Sequence, residues 1–100
     1  MKTHNHYVYI TTNKSCNVLY VGMTNDLVRR VQEHVDNQGK PDTFAGKYCC
    51  CNLVYWEHHQ YVLNAIDREK QIKKWRREKK DALIREFNPG LTFLNEEIQT

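Results

Sequence analysis

Residues 7–34 read YVYITTNKSCNVLYVGMTNDLVRRVQEH, and the fold turns on how this stretch is parsed. Aromatic and β-branched residues dominate Tyr7 to Thr12, which predicts a strand. Val18 to Val21 reads as its hairpin partner, with the polar run Asn13-Lys14-Ser15-Cys16-Asn17 as the turn. Tyr9 and Tyr20 are then expected to face each other across the ladder. Gly22 is expected to permit a tight departure from the second strand, and Thr24 or Asn25 to cap a helix. Within that helix Leu27, Val31 and Val35 recur every four residues and are assigned to the sheet-facing side. Arg30 and His34 are also four apart, so they share a neighbouring face beside Tyr20.

Further along, residues 36–48 contain Gly39, Pro41 and Gly46 and hold no sustained period, which predicts a loop with at most a short helical turn. Asn52 to Trp56 is a compact aromatic and β-branched run and predicts a third strand. A long helix is expected from about Leu63 to Lys79, with Ala65, Ile66, Glu69, Ile72 and Trp75 on one face. Glu69 thereby stands on an apolar stripe, where a carboxylate needs a metal, a base or hydroxyl partners to offset its desolvation. A second short helix is expected from Lys79 to Phe87, stopped by Asn88-Pro89-Gly90.

One hundred residues suffice for a single domain that buries roughly 60 to 65% of its unfolded-chain surface. The expected division is a flexible N-terminus over 1–6, a domain over 7–90 and a C-terminal tail over 91–100. No apolar run approaches the ~20 residues of a membrane span, and MKTHNHYVYITT lacks the pattern of a cleaved signal, so the reading is cytoplasmic with no membrane partner. Cys16, Cys49, Cys50 and Cys51 lack zinc-ligand spacing and are read as reduced, space-filling thiols. The net charge is +3, yet residues 67–80 hold eight Lys or Arg against three acids, leaving the other 86 residues at net negative two. Such a stripe attracts phosphates, and Arg29, Lys70, Lys73, Lys74, Arg76 and Arg77 are the candidate nucleic-acid-binding cations. A solvated helix face is the competing explanation.

Taken singly, the tyrosines are explained by half-buried strands and His34 by a helix-end hydrogen bond. Arg30 and Glu69 carry charge next to the core and could form an ion pair. Alternatively, Glu69 could hold a hard cation while Arg30 compensates charge on a phosphate. There is no HExxH, no paired zinc-ligand spacing and no GxxxxGK[ST], which removes support for metalloprotease and nucleoside-triphosphatase readings.

With these residues in order, the chain resembles the GIY-YIG nuclease domain, most closely the small stand-alone UvrC-like (UPF0213-type) members. The first motif stands as Tyr7-Val8-Tyr9 and the second as Tyr20-Val21-Gly22, followed by LVYWE, AIDREKQIKKWRR and FNPG. Tyr7 replaces the name-giving glycine and Val21 the isoleucine. The resemblance implies an α/β (α+β) fold, a small central three-stranded antiparallel sheet flanked by helices, consistent with the pattern above. By motif position it implies Tyr9, Tyr20, Arg30, His34, Glu69 and Asn88 as catalytic residues, with Glu69 as ligand of one Mg²⁺ or Mn²⁺. The implied reaction is hydrolysis of a DNA phosphodiester, with DNA as partner and a separate DNA-recognition or repair protein as a further one. Two rivals remain open from the residues alone. One is a catalytically weak or inactive nucleic-acid-binding module; the other is an adaptor using Tyr48, Tyr55, Trp56, Tyr61 and Trp75. Oligomeric state is not legible.

Overall fold

The computed structural model describes residues 5–99. Its sheet has three strands, β1 (His6–Thr12), β2 (Leu19–Thr24) and β3 (Asn52–His59), in the order β2-β1-β3 with both pairings antiparallel. Four helices accompany it: α1 (Leu27–Asp36), the four-residue α2 (Phe44–Lys47), α3 (Val62–Lys74) and α4 (Arg77–Phe87). β1 begins at His6, one residue before its expected start; of the rest of the proposed N-terminal segment, Asn5 is described, its side chain 2.7 Å from His58 Nε2, and residues 1–4 lie outside the described residues.

Being central, β1 is covered on both faces, and its five buried residues run without a break from Val8 to Thr12. On one face Val8, Ile10, Val21 and Tyr55 pack with Ala65 and Ile72 of α3 and Ile84 of α4. On the other, Tyr9 and Leu53 pack with Leu27 and Val31 of α1 and with Leu94 near the chain end. Strand alternation alone would place Leu53 and Tyr55 together. A register shift sets Ile10 opposite Tyr55 and Thr11 opposite Leu53, so Val54 is an extra residue and Leu53 reaches the Tyr9 face. Leu94 donates its amide to Leu53 O at 2.7 Å, and the Asn95 side chain accepts from Leu53 N at 2.7 Å, so residues beyond 90 complete this core.

Several local expectations are corrected. Asp26 caps α1, its carboxylate accepting from Arg29 N at 3.1 Å, while the Thr24 hydroxyl is already committed to the backbone of Asp26. Residues 27, 31 and 34, rather than 35, form the buried stripe of α1, the i, i+4, i+7 spacing of a helix face. The long helix breaks earlier than expected, at Trp75 and Arg76, both of which are extended. Trp75 packs against the core, and its ring lies under two cations, Arg68 at 5.2 Å and Lys79 at 4.3 Å, which favour this position over a continued helix. All four cysteines are free, with Cys50 and Cys51 buried as expected of space-filling thiols. None of the helices is long and apolar enough to cross a membrane among the described residues.

Candidate active site

Tyr9 stands near the middle of the central strand, 1% exposed, and its partner across the ladder is Gly22, not Tyr20. The phenol lies across that glycine. A Cβ on Gly22 would come within 2.5 Å of Tyr9 Oη, 2.6 Å of Tyr9 Cζ and 2.9 Å of Tyr20 Cε2. The glycine is therefore required in mid-strand for close approach of two rings, rather than for a turn out of the strand. Tyr7 leans the other way, its ring meeting Trp56 and His58 edge-on at 6.0 and 5.4 Å, so the residue in the glycine's usual place does not obstruct Tyr9.

The last turn of α1 brings His34 over the sheet, 5% exposed, with Nε2 2.8 Å from Tyr9 Oη. Tyr20 completes a group of three rings, its centroid 6.2 Å from that of Tyr9 and 5.3 Å from that of His34. Burial, reinforced by the Arg30 charge and only partly opposed by Glu33, lowers the His34 pKa to about 4. The imidazole is neutral at pH 7, and in the tautomer that carries the ring proton on Nδ1 its Nε2 is free to accept from the Tyr9 hydroxyl. Burial also raises the Tyr9 pKa well above that of an ordinary phenol. Tyr20 and Glu69 add to the effect, and Arg30 opposes it.

Arg30 lies one helical turn before His34, part-exposed, and forms an ion pair with Glu33 at 3.0 Å. Its guanidinium also acts on the Tyr9 and Tyr20 hydroxyls, and together with Glu33 these oxygens outweigh burial and hold its pKa above normal. α3 packs on β2 and β1 from the opposite layer, and Glu69 comes close enough to influence Tyr9. Its carboxylate is 22% exposed and meets Lys73 Nζ at 3.4 Å. Among the described residues there is no cluster of three or more His, Cys, Asp or Glu that could hold a metal ion. A lone, reachable carboxylate instead suits a hard cation that keeps most of its waters and takes its remaining oxygens from a phosphate. The half-exposed Lys73 is a weak competitor for it.

Asn88 is not brought into this group. Its amide donates to Val54 O at 3.1 Å and Thr92 O at 2.8 Å, and its carbonyl accepts from Thr92 N and Oγ1, both at 3.1 Å. This buried side chain thus ties the end of α4 to β3 and to the following turn. Arg77 is likewise committed, donating to Asn17 O at 3.0 Å, Cys16 O at 2.7 Å and Asp81 Oδ1 at 2.9 Å, which fastens the β1–β2 turn to α4. Arg29, Lys70, Lys74 and Arg76 are exposed, and Lys73 is half-exposed beside Glu69.

A second charged group escaped the reading of the sequence. Glu57 accepts from Tyr55 Oη, pairs with His59 Nε2 at 2.5 Å and receives Arg68 Nε at 3.1 and 3.2 Å. Burial alone would raise the Glu57 pKa; these three partners reverse the sign and lower it. Tyr55, Glu57 and His59 alternate along β3, a signal visible as Y-x-E-x-H, although nothing in that pattern announces Arg68.

A tyrosine pair, a helix arginine and histidine, and a carboxylate from the opposite layer make up the candidate site of this small α+β domain. Residues 5–81 match the GIY-YIG catalytic domain, and the chain belongs to that family as one of its small UPF0213 members. The UPF0213 protein of Bacillus pumilus is 36% identical over 87 residues, covering 87% of this chain and 86% of that one. A UPF0213 protein of Haloquadratum walsbyi is 40% identical over 81 residues, covering 81% and 88%. The solution NMR structure of a UPF0213 protein from Bacillus halodurans is 31% identical, covers 80% of this chain and 82% of that one, and has a TM-score of 0.49.

Proposed function

We propose that this protein is a metal-dependent endonuclease that hydrolyses DNA phosphodiester bonds in DNA repair or processing. The observation that carries the reading is the buried Tyr9–His34 hydrogen bond, 2.8 Å long, formed where Arg30 acts on both phenols. Membership of a catalytic-domain family supports it.

Arg30 holds the scissile phosphate and compensates the charge that gathers as phosphorus becomes five-coordinate. Tyr9 takes a proton from the attacking water as it hands its own to His34 Nε2. The water oxygen bonds to phosphorus, the bond to the leaving oxygen breaks with its electron pair on that oxygen, which takes a proton from solvent, and the proton relayed from the attacking water's side through Tyr9 rests on the imidazole. A Tyr9 phenol with its raised pKa is a poor reservoir of phenolate by itself, so the proposed route is concerted transfer to a neutral imidazole with its ring proton on Nδ1, a reading supported by the 2.8 Å contact between Tyr9 Oη and His34 Nε2. Phosphate beside Arg30 also offsets the second of the two influences that keep His34 neutral, which makes the imidazole a better acceptor once substrate is bound. Tyr20, against both rings, orients phosphate or water. Glu69 would hold one Mg²⁺ or Mn²⁺, which when bound supplies positive charge to polarise the phosphate and stabilise the leaving oxygen. Arg29, Lys70, Lys73, Lys74 and Arg76 supply backbone contacts with little sequence preference, and a separate DNA-recognition or repair protein would supply selectivity.

The test is incubation of end-labelled duplex, single-stranded, flap and branched DNA with wild-type and Glu69→Ala protein, in Mg²⁺, Mn²⁺ or chelator. Product that vanishes with chelator and with the substitution supports the proposal. Folded protein that binds DNA and cuts none of these substrates rejects autonomous cleavage.

A further inference from the structure

Beside the ring group of the site lies a second aromatic surface that its chemistry leaves unused. Phe44 stacks on Tyr20 with centroids 6.4 Å apart and planes 27° apart, and it contacts Tyr48 at 4.7 Å. Both are conspicuously open, Phe44 at 52% and Tyr48 at 42% exposure. They do not hold α2 in place, because its inward side is made by Ala45 and Gly46, which are buried. That inward side is firmly fixed. Gly46 O accepts from Gly39 N and Ala45 O from Cys50 N, both at 2.8 Å, and Thr43 Oγ1 accepts from Gly46 N at 3.0 Å. A Cβ on Gly46 would fall 2.5 Å from Lys40 O, so α2 is pressed directly onto the loop that follows α1. Two exposed aromatic residues four positions apart are therefore presented on a rigid support, continuous with the site through Tyr20.

We infer that Phe44 and Tyr48 form a stacking platform for an unpaired nucleobase next to the scissile phosphate, giving the site a preference for single-stranded or frayed DNA. The inference rests on the reading of the Tyr9 site as a phosphodiester-cleaving centre and specifies its substrate class. Three features select this occupant. The rings continue the catalytic ring group, so a ligand on them is contiguous with a phosphate on Arg30. Lys47 Nζ lies over the Tyr48 ring at 5.4 Å, and Lys40 is exposed nearby, which places cations where the backbone of a stacked nucleotide runs. Aromatic faces also accept any base that is free of its own stack, whereas paired bases within a duplex are already stacked on one another.

The test is equilibrium binding in chelator, so that no cleavage is required. A short single strand carries a fluorescent adenine analogue at successive positions, and a duplex of the same sequence serves for comparison. Phe44→Ala should weaken single-strand binding by about 10-fold or more, with little change for duplex, and should abolish the stacking quench at one position. Phe44→Trp should retain both affinity and quench. An abasic nucleotide at the quenched position should weaken the wild type and leave Phe44→Ala unaffected. Equal single-strand affinity of wild type and a folded Phe44→Ala protein, or quenching that survives the substitution, overturns the inference. Tight single-strand binding with no Mg²⁺-dependent product would sustain the platform while rejecting the nuclease reading. Mg²⁺-dependent duplex cleavage with no single-strand binding would do the reverse, and a surface that captures only a protein partner would also overturn it.

Discussion

Replacing Gly22 with alanine would drive a methyl group into Tyr9. The new carbon would stand 2.5 Å from Oη and 2.6 Å from Cζ, against the ~3.5 Å at which non-bonded heavy atoms are comfortable, so the ring must move by about 1 Å. It has no free direction. Tyr9 and Gly22 are ladder partners, α1 covers the ring from above, and Oη is already 2.8 Å from His34. Overpacking of this kind costs about 1–3 kcal/mol, and each kcal/mol lowers the melting temperature of a domain this size by roughly 4–8 °C. On the proposed mechanism, displacing the Tyr9 hydroxyl by about 1 Å should cost on the order of 100-fold in cleavage rate. Thermal unfolding followed by circular dichroism and single-turnover cleavage below the new melting temperature measure the two effects. Gly90→Ala is the control, since its nearest neighbour would be Thr92 Cγ2 at 3.7 Å, and both readings should stay at wild-type values. A Gly22→Ala protein with wild-type melting temperature and rate would refute the claim that the glycine exists to admit the phenol.

Two further predictions follow from the electrostatics. His34 has a folded-state pKa of about 4 against an ordinary 6.5, so the unfolded chain binds the extra proton between those values and stability should rise with pH across that window, by about 3 kcal/mol at most. Denaturant unfolding at pH 4.5 and 7 should show this slope in wild type and a flatter one in His34→Gln; identical slopes would contradict it. Arg77→Ala should lower stability by about 1–2 kcal/mol through loss of its three bonds, yet leave the salt dependence of DNA binding unchanged. Lys70→Ala, Lys74→Ala and Arg76→Ala should each reduce the slope of log affinity against log salt by roughly one; the reverse assignment would show that Arg77 belongs to the DNA surface.

The hairpin, the helix after it and the third strand were legible because each rests on local periodicity, and the same spacing put Arg30 and His34 beside Tyr20. What escaped depends on contacts between distant segments. Val54 as an extra residue in β3 is set by pairing with β1, so the alternation of NLVYW could not reveal that Leu53 and Tyr55 part company. Trp75 looked like one more apolar position of a helix, and only its burial between Arg68 and Lys79 shows why the backbone turns extended there. Arg77 reads as one of eight basic residues in its stretch, whereas its function is decided by two carbonyls in a turn some sixty residues earlier. Asn88 is comparable: motif position suggests a catalytic role, while the described contacts are to backbone and Thr92. Phe44 and Tyr48 carried a readable signal, aromatics four apart after the capping Thr43, but without the fold nothing placed them against Tyr20.

The proposed function requires Tyr9, Arg30, His34 and Glu69 to act together on a phosphodiester. The most direct test is the single-turnover rate of Mg²⁺-dependent cleavage for wild type, Tyr9→Phe, Arg30→Lys and Glu69→Gln, each verified as folded by circular dichroism. Removal of any one group should slow cleavage by at least about 100-fold while DNA binding in chelator is retained. Equal rates in wild type and Tyr9→Phe, or cleavage that survives in Glu69→Gln, would contradict the account.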